Sequence, residues 1–250
     1  MKKVFRRLIT NLFYQNKLGN YPGYNQILNL DRATISKIYL NGNGIEIGAL
    51  NGPLTVSGKA KVKYVDRMSV EELKNHYPEL ELVNVDIIDD GEKLDKFNNS
   101  TLDFVIANHF LEHCQNPILA MINMFRVLKK GGILYLSVPD KRYTFDSKRP
   151  VTKLNHIIKD YTLGPSWSRS QHFEEWTKYV TKKNGVDAEQ HAKWMIEIDY
   201  SIHYHVWTQN EMFEFLLTLK EKFNLEFEVE LFLKNGLECI FILRKQSQNI

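Results

Sequence analysis

Apolar residues along this chain fall into short runs that alternate with helical patterns. Leu102–Asn108 is apolar almost throughout, and residues 133–139 repeat the pattern, which is typical of parallel strands buried on both faces. Shorter runs at 45–47 and 62–66 predict two earlier strands, and residues 80–88 predict a third. The repeated order of strand, turn and helix predicts a doubly wound parallel sheet, in which ligands bind beyond the carboxyl ends of the strands.

Boundary signals place helices between and after these strands. Three helix starts are marked by Ser69 with Glu72, Asn116 with Pro117, and Thr208 with Glu211. The second of these helices is predicted to end at 129–131, where two lysines and a glycine suit a C-terminus. Pro53 suits the first position of a helix after the first strand, and 24–40 has a helical pattern. Residues 225–233 and 237–244, joined by an Asn-Gly turn, predict a terminal hairpin.

The pattern divides the chain into four regions. We expect an N-terminal helical cover at 1–40, a ligand-binding core at 41–140, an insertion at 141–207, and a helix with a hairpin at 208–250. The insertion is charged and aromatic, and all four tryptophans lie in it. It is predicted to be mostly helical and to fold over the strand ends, where substrate would enter. An alternative, compatible with the first, is a structural subdomain whose aromatic residues form their own core.

Composition excludes several classes of protein. The chain has 250 residues, of which 43% are hydrophobic and 25% charged, as in an ordinary globular protein. The net charge of +3 and pI of about 8.6 are too mild to predict a nucleic-acid partner. Cys114 and Cys239 lack metal-like spacing, so we expect reduced thiols in a cytoplasmic protein and no metal site. No apolar run approaches the roughly 20 residues that span a bilayer.

The first 17 residues differ from the rest of the chain. They carry five basic and no acidic residues, while apolar residues recur at helical spacing. This pattern predicts a basic amphipathic helix, which is suited to peripheral contact with an anionic membrane. Packing of the same helix on its own domain or on a partner subunit stays open. The sequence does not indicate an oligomeric state.

A glycine turn after the first strand provides the main chemical signal. Glu46 lies on the strand, Gly48 ends it, and Gly52 follows where a side chain would block close backbone approach. A dinucleotide fingerprint is excluded because Leu50 and Pro53 occupy its second and third glycine positions. A phosphate-binding loop is disfavoured because its spacing is one residue too long. The turn therefore predicts a different kind of ligand.

An acidic residue follows at the end of the second predicted strand. Asp66 lies 20 residues beyond Glu46. At that position a carboxylate is placed to accept hydrogen bonds from both hydroxyls of a ribose. The spacing therefore indicates a nucleoside-containing ligand.

Together these motifs resemble those of a known family. The pattern E-x-G-x-x-x-G of residues 46–52 is similar to the first motif of class I S-adenosylmethionine-dependent methyltransferases, with Leu50 in place of the middle glycine. The blocks DFVIANHFLEH and FRVLKKGGILYLSVPDKRYTFD resemble the fourth-strand to fifth-strand region of bacterial members, which often lie beside glycosyltransferases in surface-polysaccharide gene sets. The likeness covers 44–146. It implies a Rossmann-like α/β sheet that is mostly parallel with an antiparallel last strand. It also implies S-adenosylmethionine as cofactor and a small-molecule or glycan acceptor in polysaccharide biosynthesis.

The resemblance also implies roles for individual residues. Glu46 would face the methionine end of the cofactor, with Gly48 and Gly52 making room for it. Asp66 would hold the ribose, and Asn108 would line the pocket at the end of the fourth strand. The acidic turn that receives the adenine contains three aspartates, among which spacing does not choose, namely Asp86, Asp89 and Asp90.

Histidines supply the candidate general bases for a hydroxyl acceptor. His109 and His113 lie nearest the predicted strand end, one helical turn apart, and are the expected catalytic residues. Histidines of the insertion are further candidates, and these are His172, His203 and His205. Residues 109–113 also spell H-x-x-E-H, so a zinc hydrolase is an alternative function. A non-catalytic partner protein that binds S-adenosylmethionine is another.

Overall fold

The fold is built on one seven-stranded sheet. The computed structural model describes residues 30–246. The strands are β1 Gly42–Ile47, β2 Ala60–Asp66, β3 Ile87–Ile88, β4 Leu102–Asn108, β5 Leu128–Pro139, β6 Phe227–Asn235 and β7 Glu238–Lys245. Their order across the sheet is β3-β2-β1-β4-β5-β7-β6. All neighbouring pairs from β3 to β5 are parallel, and β7 runs antiparallel to both β5 and β6.

Seven α-helices accompany these strands in the described part of the chain. They are α1 Arg32–Tyr39, α2 Val70–His76, α3 Pro117–Val127, α4 Leu154–Leu163, α5 Arg169–Tyr179, α6 Gly185–Glu197 and α7 Gln209–Phe223. Short 3-10 turns lie at Leu111–His113, Lys141–Tyr143, Phe145–Lys148 and Pro165–Trp167. This arrangement confirms the predicted Rossmann-like α/β fold with its terminal helix and hairpin.

Strand β4 is buried on both faces, as its apolar run predicts. Val105 and Ala107 belong to the larger apolar core, which α3 and α7 cover. Phe104 and Ile106 belong to a second core on the other face, together with Ile35 of α1. The two faces of one strand therefore hold two separate helical layers against the sheet.

The predicted helix after β1 is absent. Residues 53–59 have no helix or strand, and the chain passes directly to β2. Leu54 is buried, and its amide donates to both carboxylate oxygens of Glu46 at 3.0 Å. The buried Glu46 carboxylate thus satisfies the Leu54 amide.

The third predicted strand is reduced to two residues. Ile87 and Ile88 pair with the end of β2, whereas 81–86 are not strand. One step earlier, the carboxylate of Asp86 accepts from the Tyr64 amide at 2.8 Å. The Asp86 side chain therefore accepts the hydrogen bond that a backbone carbonyl of a longer β3 would accept.

The predicted C-terminus of α3 at 129–131 is wrong. The helix ends at Val127, and β5 begins at Leu128 and runs through both glycines of this segment. Gly131 has φ +77°, and a Cβ on Gly132 would lie 2.9 Å from a backbone oxygen. The pairing register with β4 shifts at this place, so the glycines serve an irregularity within a strand.

The insertion has an apolar core of its own. Three helices lie in it, α4 to α6, and the return segment after α6 is extended without forming a strand. Its core consists of Phe173, Trp176, Ala192, Met195, Ile202 and Tyr204. These side chains therefore form an apolar cluster within the insertion.

The basic amphipathic segment 1–17 lies outside the described residues. From residue 30 onward, α1 begins after Asp31, whose side chain accepts from the Thr34 amide. None of the helices described combines the length and hydrophobicity that crossing a bilayer requires. Cys114 and Cys239 are buried free thiols.

Candidate functional site

The carboxyl ends of β1 and β4 bring Glu46 and Asn108 together. The Asn108 amide nitrogen donates to Glu46 Oε1 at 3.3 Å, while Asn108 Oδ1 is buried and has no hydrogen-bond partner among residues 30–246. Glu46 is fully buried. Burial raises the pKa of Glu46 to about 7, against the opposing effect of the hydrogen bond from the Leu54 amide. A buried acceptor without a donor and a carboxylate near its titration point therefore meet at one strand end.

The glycine turn leaves the adjacent backbone bare. Gly48 has φ +66°, which favours glycine, and its amide donates to the Val65 carbonyl at 2.9 Å. A Cβ on Gly52 would meet no atom within 4 Å. Gly52 therefore presents open backbone, as expected where a ligand approaches closely.

Gly91 is required by packing, and its role was not predicted. A Cβ on Gly91 would lie 2.6 Å from both Ile47 and Phe110 side-chain atoms. The acidic turn after β3 therefore approaches the end of β1 so closely that only glycine fits. A glycine directly after two aspartates was the available signal, but the close contact depends on the fold.

Asp66 and Asp89 lie side by side at the ends of β2 and β3. The Asp89 amide donates to the Asp66 carbonyl at 2.9 Å. Asp66 is partly buried and accepts from the Met68 amide at 3.2 Å, and burial raises its pKa. Its position at the strand end agrees with the spacing argument.

The three aspartates of the acidic region have different surroundings. Asp86 is exposed and precedes β3, so it lies away from the strand end. Both carboxylate oxygens of Asp89 accept backbone amides, from Asp90 and Lys96, each at 2.9 Å. Asp90 accepts from an amide two residues on and forms an ion pair with Lys93 at 2.9 Å. The structure therefore brings Asp89 and Asp90, but not Asp86, to the edge where Asp66 lies.

His109 lies between two carboxylates directly after β4. Its Nε2 is 2.7 Å from Glu238 Oε2, and its Nδ1 is 3.4 Å from Glu112 Oε1. Burial acts to lower the pKa of His109, but the hydrogen bonds and charges of the two glutamates prevail and raise it to about 9. His109 therefore carries its proton at neutral pH, and its φ of +47° is unusual for a residue with a side chain.

Glu238 joins three elements, and sequence reasoning did not identify it. Arg32 of α1 binds both of its oxygens, with Nε at 2.7 Å from Oε1. Ser137 at the end of β5 donates to Oε2, and Asn235 donates to Oε1 at 2.7 Å. These contacts lower the pKa of Glu238 although burial alone would raise it. Arg32 and Glu238 are 206 positions apart, so no local pattern could indicate their pairing.

His113 is a neutral imidazole in a defined tautomer. Its Nδ1 is 3.0 Å from the Ile202 carbonyl and 3.0 Å from Ser201 Oγ. Because a carbonyl only accepts, the proton is on Nδ1 and the lone pair is on Nε2. Burial, followed by the nearby imidazole of His203, lowers the pKa of His113 to about 4.

The insertion supplies the far wall beside His113. The His203 ring lies 4.7 Å from the His113 ring, and His203 Nδ1 contacts Asp146 at 2.7 Å. The Glu112 carbonyl accepts from the Tyr204 amide at 2.7 Å. Of the three histidines considered in the insertion, only His203 reaches this site. His172 and His205 lie together in another part of the insertion, where their rings are 5.2 Å apart.

The geometry does not fit the zinc hydrolase alternative. Leu111–His113 is a single 3-10 turn, whereas the H-x-x-E-H motif needs a long helix. In residues 30–246, Glu112, His113 and His203 offer donor atoms within 4.8 Å of one another, but His109 does not belong to this group. Its nitrogens contact Glu238 and Glu112 instead, so the two motif histidines do not converge on one ion.

Three solved structures illustrate the likeness of the fold. The CurJ carbon methyltransferase is 14% identical, with a TM-score of 0.44, covering 83% of this chain but only 49% of its own. A SAM-dependent methyltransferase from Thermotoga maritima is 16% identical, with a TM-score of 0.48 and coverage of 98% and 100%. A protein from Rhodobacter sphaeroides described as a Zn-dependent alcohol dehydrogenase is 14% identical, with a TM-score of 0.50 and coverage of 85% and 87%. At these identities the likeness concerns the fold alone.

Sequence comparison identifies the family. No curated protein matches the chain. The model of a methyltransferase domain matches residues 12–208, which include every residue of the site except Asn235 and Glu238. The protein therefore belongs to the methyltransferase-domain family and is an S-adenosylmethionine-dependent methyltransferase.

Proposed function

We propose that this enzyme methylates a hydroxyl group of a small polar molecule or a sugar, with His113 as the general base. The observation that carries the proposal is the neutral His113, whose Nδ1 proton faces a carbonyl and whose Nε2 keeps its lone pair. S-adenosylmethionine supplies an electrophilic methyl group on a sulfonium, so the protein must position the acceptor and remove its proton.

The residues at the strand ends suit the cofactor. Asn108 Oδ1 is a buried acceptor without a donor, and the amino group of the cofactor would supply one. Glu46, beside it, adds negative charge near the cationic methionine end. Gly52 has room for a ligand at its bare backbone. Asp66 would accept from the ribose hydroxyls, and Asp89 and Asp90 lie on the side where the adenine would bind.

The character of the opposite wall supports a polar acceptor. Charged and hydrogen-bonding groups surround the end of β4 in unusual density, and they are Arg32, His109, Glu112, His113, Asp146, His203 and Glu238. Among the described residues, no hydrogen-bond donor reaches the buried carboxylate oxygens of Glu112, and an acceptor with hydroxyl groups would supply the donors that an apolar acceptor lacks. A sugar offers several hydroxyls to these oxygens. A role of the enzyme in surface-polysaccharide synthesis rests on the family resemblance alone.

The two motif histidines have different roles in this proposal. His113 takes the hydroxyl proton at Nε2, and the buried carboxylate of Glu112 favours the imidazolium that results. His109 cannot act as a base near pH 7 because it already holds its proton. It donates a hydrogen bond to Glu238, and its charge lies 3.4 Å from Glu112 Oε1, so it holds the Glu112 carboxylate beside the base.

Calorimetric titration with S-adenosylmethionine and S-adenosylhomocysteine tests the cofactor site. We expect micromolar binding that Asp66→Asn weakens about tenfold or more, since a hydrogen-bonded charged contact contributes roughly 1.5–3 kcal/mol. Asp86→Asn is the matched control because Asp86 lies away from the strand end, and it should bind like the wild type. Equal loss in both variants would overturn the assignment of the ribose to Asp66.

Transfer of a radiolabelled methyl group tests the acceptor and the base. A panel of sugars, sugar nucleotides and small phenols would be assayed with the wild type, His113→Ala and His76→Ala, the last an exposed histidine. We expect transfer to a sugar, a fall of about 10²–10⁴ in kcat for His113→Ala, and no change for His76→Ala. Unchanged kcat in His113→Ala would exclude it as the base.

We also propose that residues 1–17 bring the enzyme to an anionic membrane surface. Their five basic residues and helical apolar spacing support this. Flotation with phosphatidylserine vesicles should recover the protein at low salt and lose it at high salt. Variants with Lys2, Lys3, Arg6 and Arg7 replaced by glutamine should not bind, and equal recovery with neutral vesicles would contradict the proposal.

A further inference from the structure

Four potential metal ligands converge in the insertion, away from the site described above. His156 and Asp160 lie one turn apart on α4, His172 lies on α5, and His205 lies on the extended return segment. Their donor atoms all lie within 4.8 Å of one another. Asp160, His172 and His205 are buried, with exposed fractions of 0%, 8% and 1%. Three separate elements therefore present these side chains to one point.

Three separations between the donor atoms are close to those in a tetrahedral site. His156 Nε2 is 3.1 Å from His172 Nε2 and 3.3 Å from Asp160 Oδ2, and His205 Nε2 is 3.6 Å from the same Oδ2. Zinc bound at about 2.0–2.1 Å in a tetrahedron holds its ligand atoms about 3.3 Å apart. The measured separations lie on both sides of that value.

Hydrogen bonding within the protein accounts for only part of the cluster, in which His205 Nε2 lies 3.4 Å from the Gln115 carbonyl. Asp160 Oδ2 is buried and has no hydrogen-bond partner among the described residues. The close contact of two Nε2 atoms, His156 with His172, can share only one proton. A buried carboxylate oxygen that faces imidazole nitrogens without a partner is costly unless a cation satisfies it.

The surroundings orient the carboxylate as a ligand. Asp160 Oδ1 accepts from Ser168 Oγ at 2.7 Å, which fixes the direction of Oδ2, as outer partners do in established metal sites. A surface cavity of about 220 Å³ touches His156 and His172 and is lined further by residues 150–153, Gln171 and Glu175. This cavity provides a path by which an ion reaches the ligands.

We propose that His156, Asp160, His172 and His205 bind one structural zinc ion that holds α4 and α5 of the insertion to its return segment. Three imidazoles and one carboxylate in a tetrahedron are a donor set that zinc prefers. Four protein ligands leave no open position, so the ion has a structural role.

The ion also bears on the catalytic site through the return segment. His205 lies two residues after His203, and the Glu112 carbonyl accepts from the amides of Tyr204 and His205, at 2.7 and 3.3 Å. Fixing His205 therefore fixes the wall that contacts His113.

Metal analysis of the full chain tests the proposal. Untagged protein would be stripped with a chelator, reloaded with zinc, dialysed and measured by mass spectrometry. We expect about one zinc per chain in the wild type and below about a tenth in His172→Ala and His205→Ala. His76→Ala should keep the ion. So should His113→Ala, which removes a ligand from the other close group, Glu112, His113 and His203.

A second measurement needs no variant and guards against misfolding. Cobalt(II) added to stripped wild-type protein should give the intense visible absorption of a tetrahedral ion, and zinc should abolish it. Zinc should also raise the Tm of the stripped protein by about 5 °C, because it binds only the folded state. Wild-type protein that keeps no zinc and shows no tetrahedral cobalt spectrum would overturn the proposal. Loss of zinc in His113→Ala with retention in His172→Ala would do the same.

Discussion

At the scale of single residues, this site uses burial and neighbouring charge to give similar groups opposite charge states. His109 and His113 are four positions apart, yet the pKa of His109 is raised to about 9 and that of His113 is lowered to about 4. Two glutamates flank the first, whereas burial and another imidazole dominate for the second. Residue type and spacing made both equal candidates, and only their surroundings distinguish them.

The charge on His109 predicts a pH dependence of stability. A histidine whose pKa is raised on folding stabilises the folded state fully below the unfolded pKa of about 6.5. That contribution is lost as pH rises through about 9. Urea unfolding should therefore show the wild type about 1–3 kcal/mol more stable than His109→Gln at pH 6, and the difference should vanish near pH 10. A constant difference across this range would show that His109 is neutral when folded.

The burial of Glu46 predicts a loss of stability with rising pH in a lower pH range. Its pKa of about 7 means that the folded ligand-free protein loses stability as pH rises from about 4.5 to 7, since the unfolded carboxyl ionises first. A cationic ligand beside Glu46 favours the ionised form. Affinity for S-adenosylmethionine should therefore fall below pH 7, approaching tenfold per pH unit. Calorimetry from pH 5.5 to 8 should show this slope in the wild type and a flat profile in Glu46→Gln; equal slopes would place the titrating group elsewhere.

At the scale of elements, the sequence correctly predicted the features that depend on neighbouring residues. The apolar run of β4 and the capping boxes of α2 and α7 are present as predicted, with Ser69 and Thr208 as caps. The errors lie where a residue has two local uses. Gly131 suits a helix C-terminus equally well as a bend within β5, and Pro53 suits a loop as well as a first helical turn. Tertiary pairing decided both cases.

Two glycines of the site predict contrasting phenotypes. A Cβ on Gly91 would lie 2.6 Å from Ile47 and Phe110, while one on Gly52 would meet nothing within 4 Å. Gly91→Ala should therefore lower the free energy of unfolding by about 1–3 kcal/mol through overpacking. Gly52→Ala should change it by less than about 0.5 kcal/mol but weaken S-adenosylmethionine binding, because the ligand approaches that backbone. Denaturant unfolding and calorimetry on the same samples separate the effects. A destabilised Gly52→Ala variant with normal binding would contradict this assignment.

At the scale of the whole molecule, the site is assembled from distant parts of the chain. Glu46, Asp66 and Asn108 come from one compact block, so their spacing could predict a common ligand. Arg32 and Glu238 come from opposite ends of the described chain and meet beside His109. The sequence indicated the first group but not the second. Glu238 reaches the strand ends only because β7 pairs with β5.

The contact between Arg32 and Glu238 predicts an energetic coupling between α1 and β7. Arg32→Met would leave Glu238 buried with His109 as its remaining cationic partner. We expect the free energy of unfolding to fall by about 1–3 kcal/mol. This loss is smaller than for a fully buried pair because the arginine is about one-third exposed. Lys93→Met, which breaks the exposed pair with Asp90, should cost less than about 0.5 kcal/mol. A double-mutant cycle combines Arg32→Met with Glu238→Gln. The double variant should lose less stability than the sum of the two single losses, since it removes both charges of the pair and leaves neither one without its partner. Additive losses would mean that α1 and β7 contribute independently. A coupling above about 1 kcal/mol would instead show that α1 is held to the sheet through the residue that also holds His109.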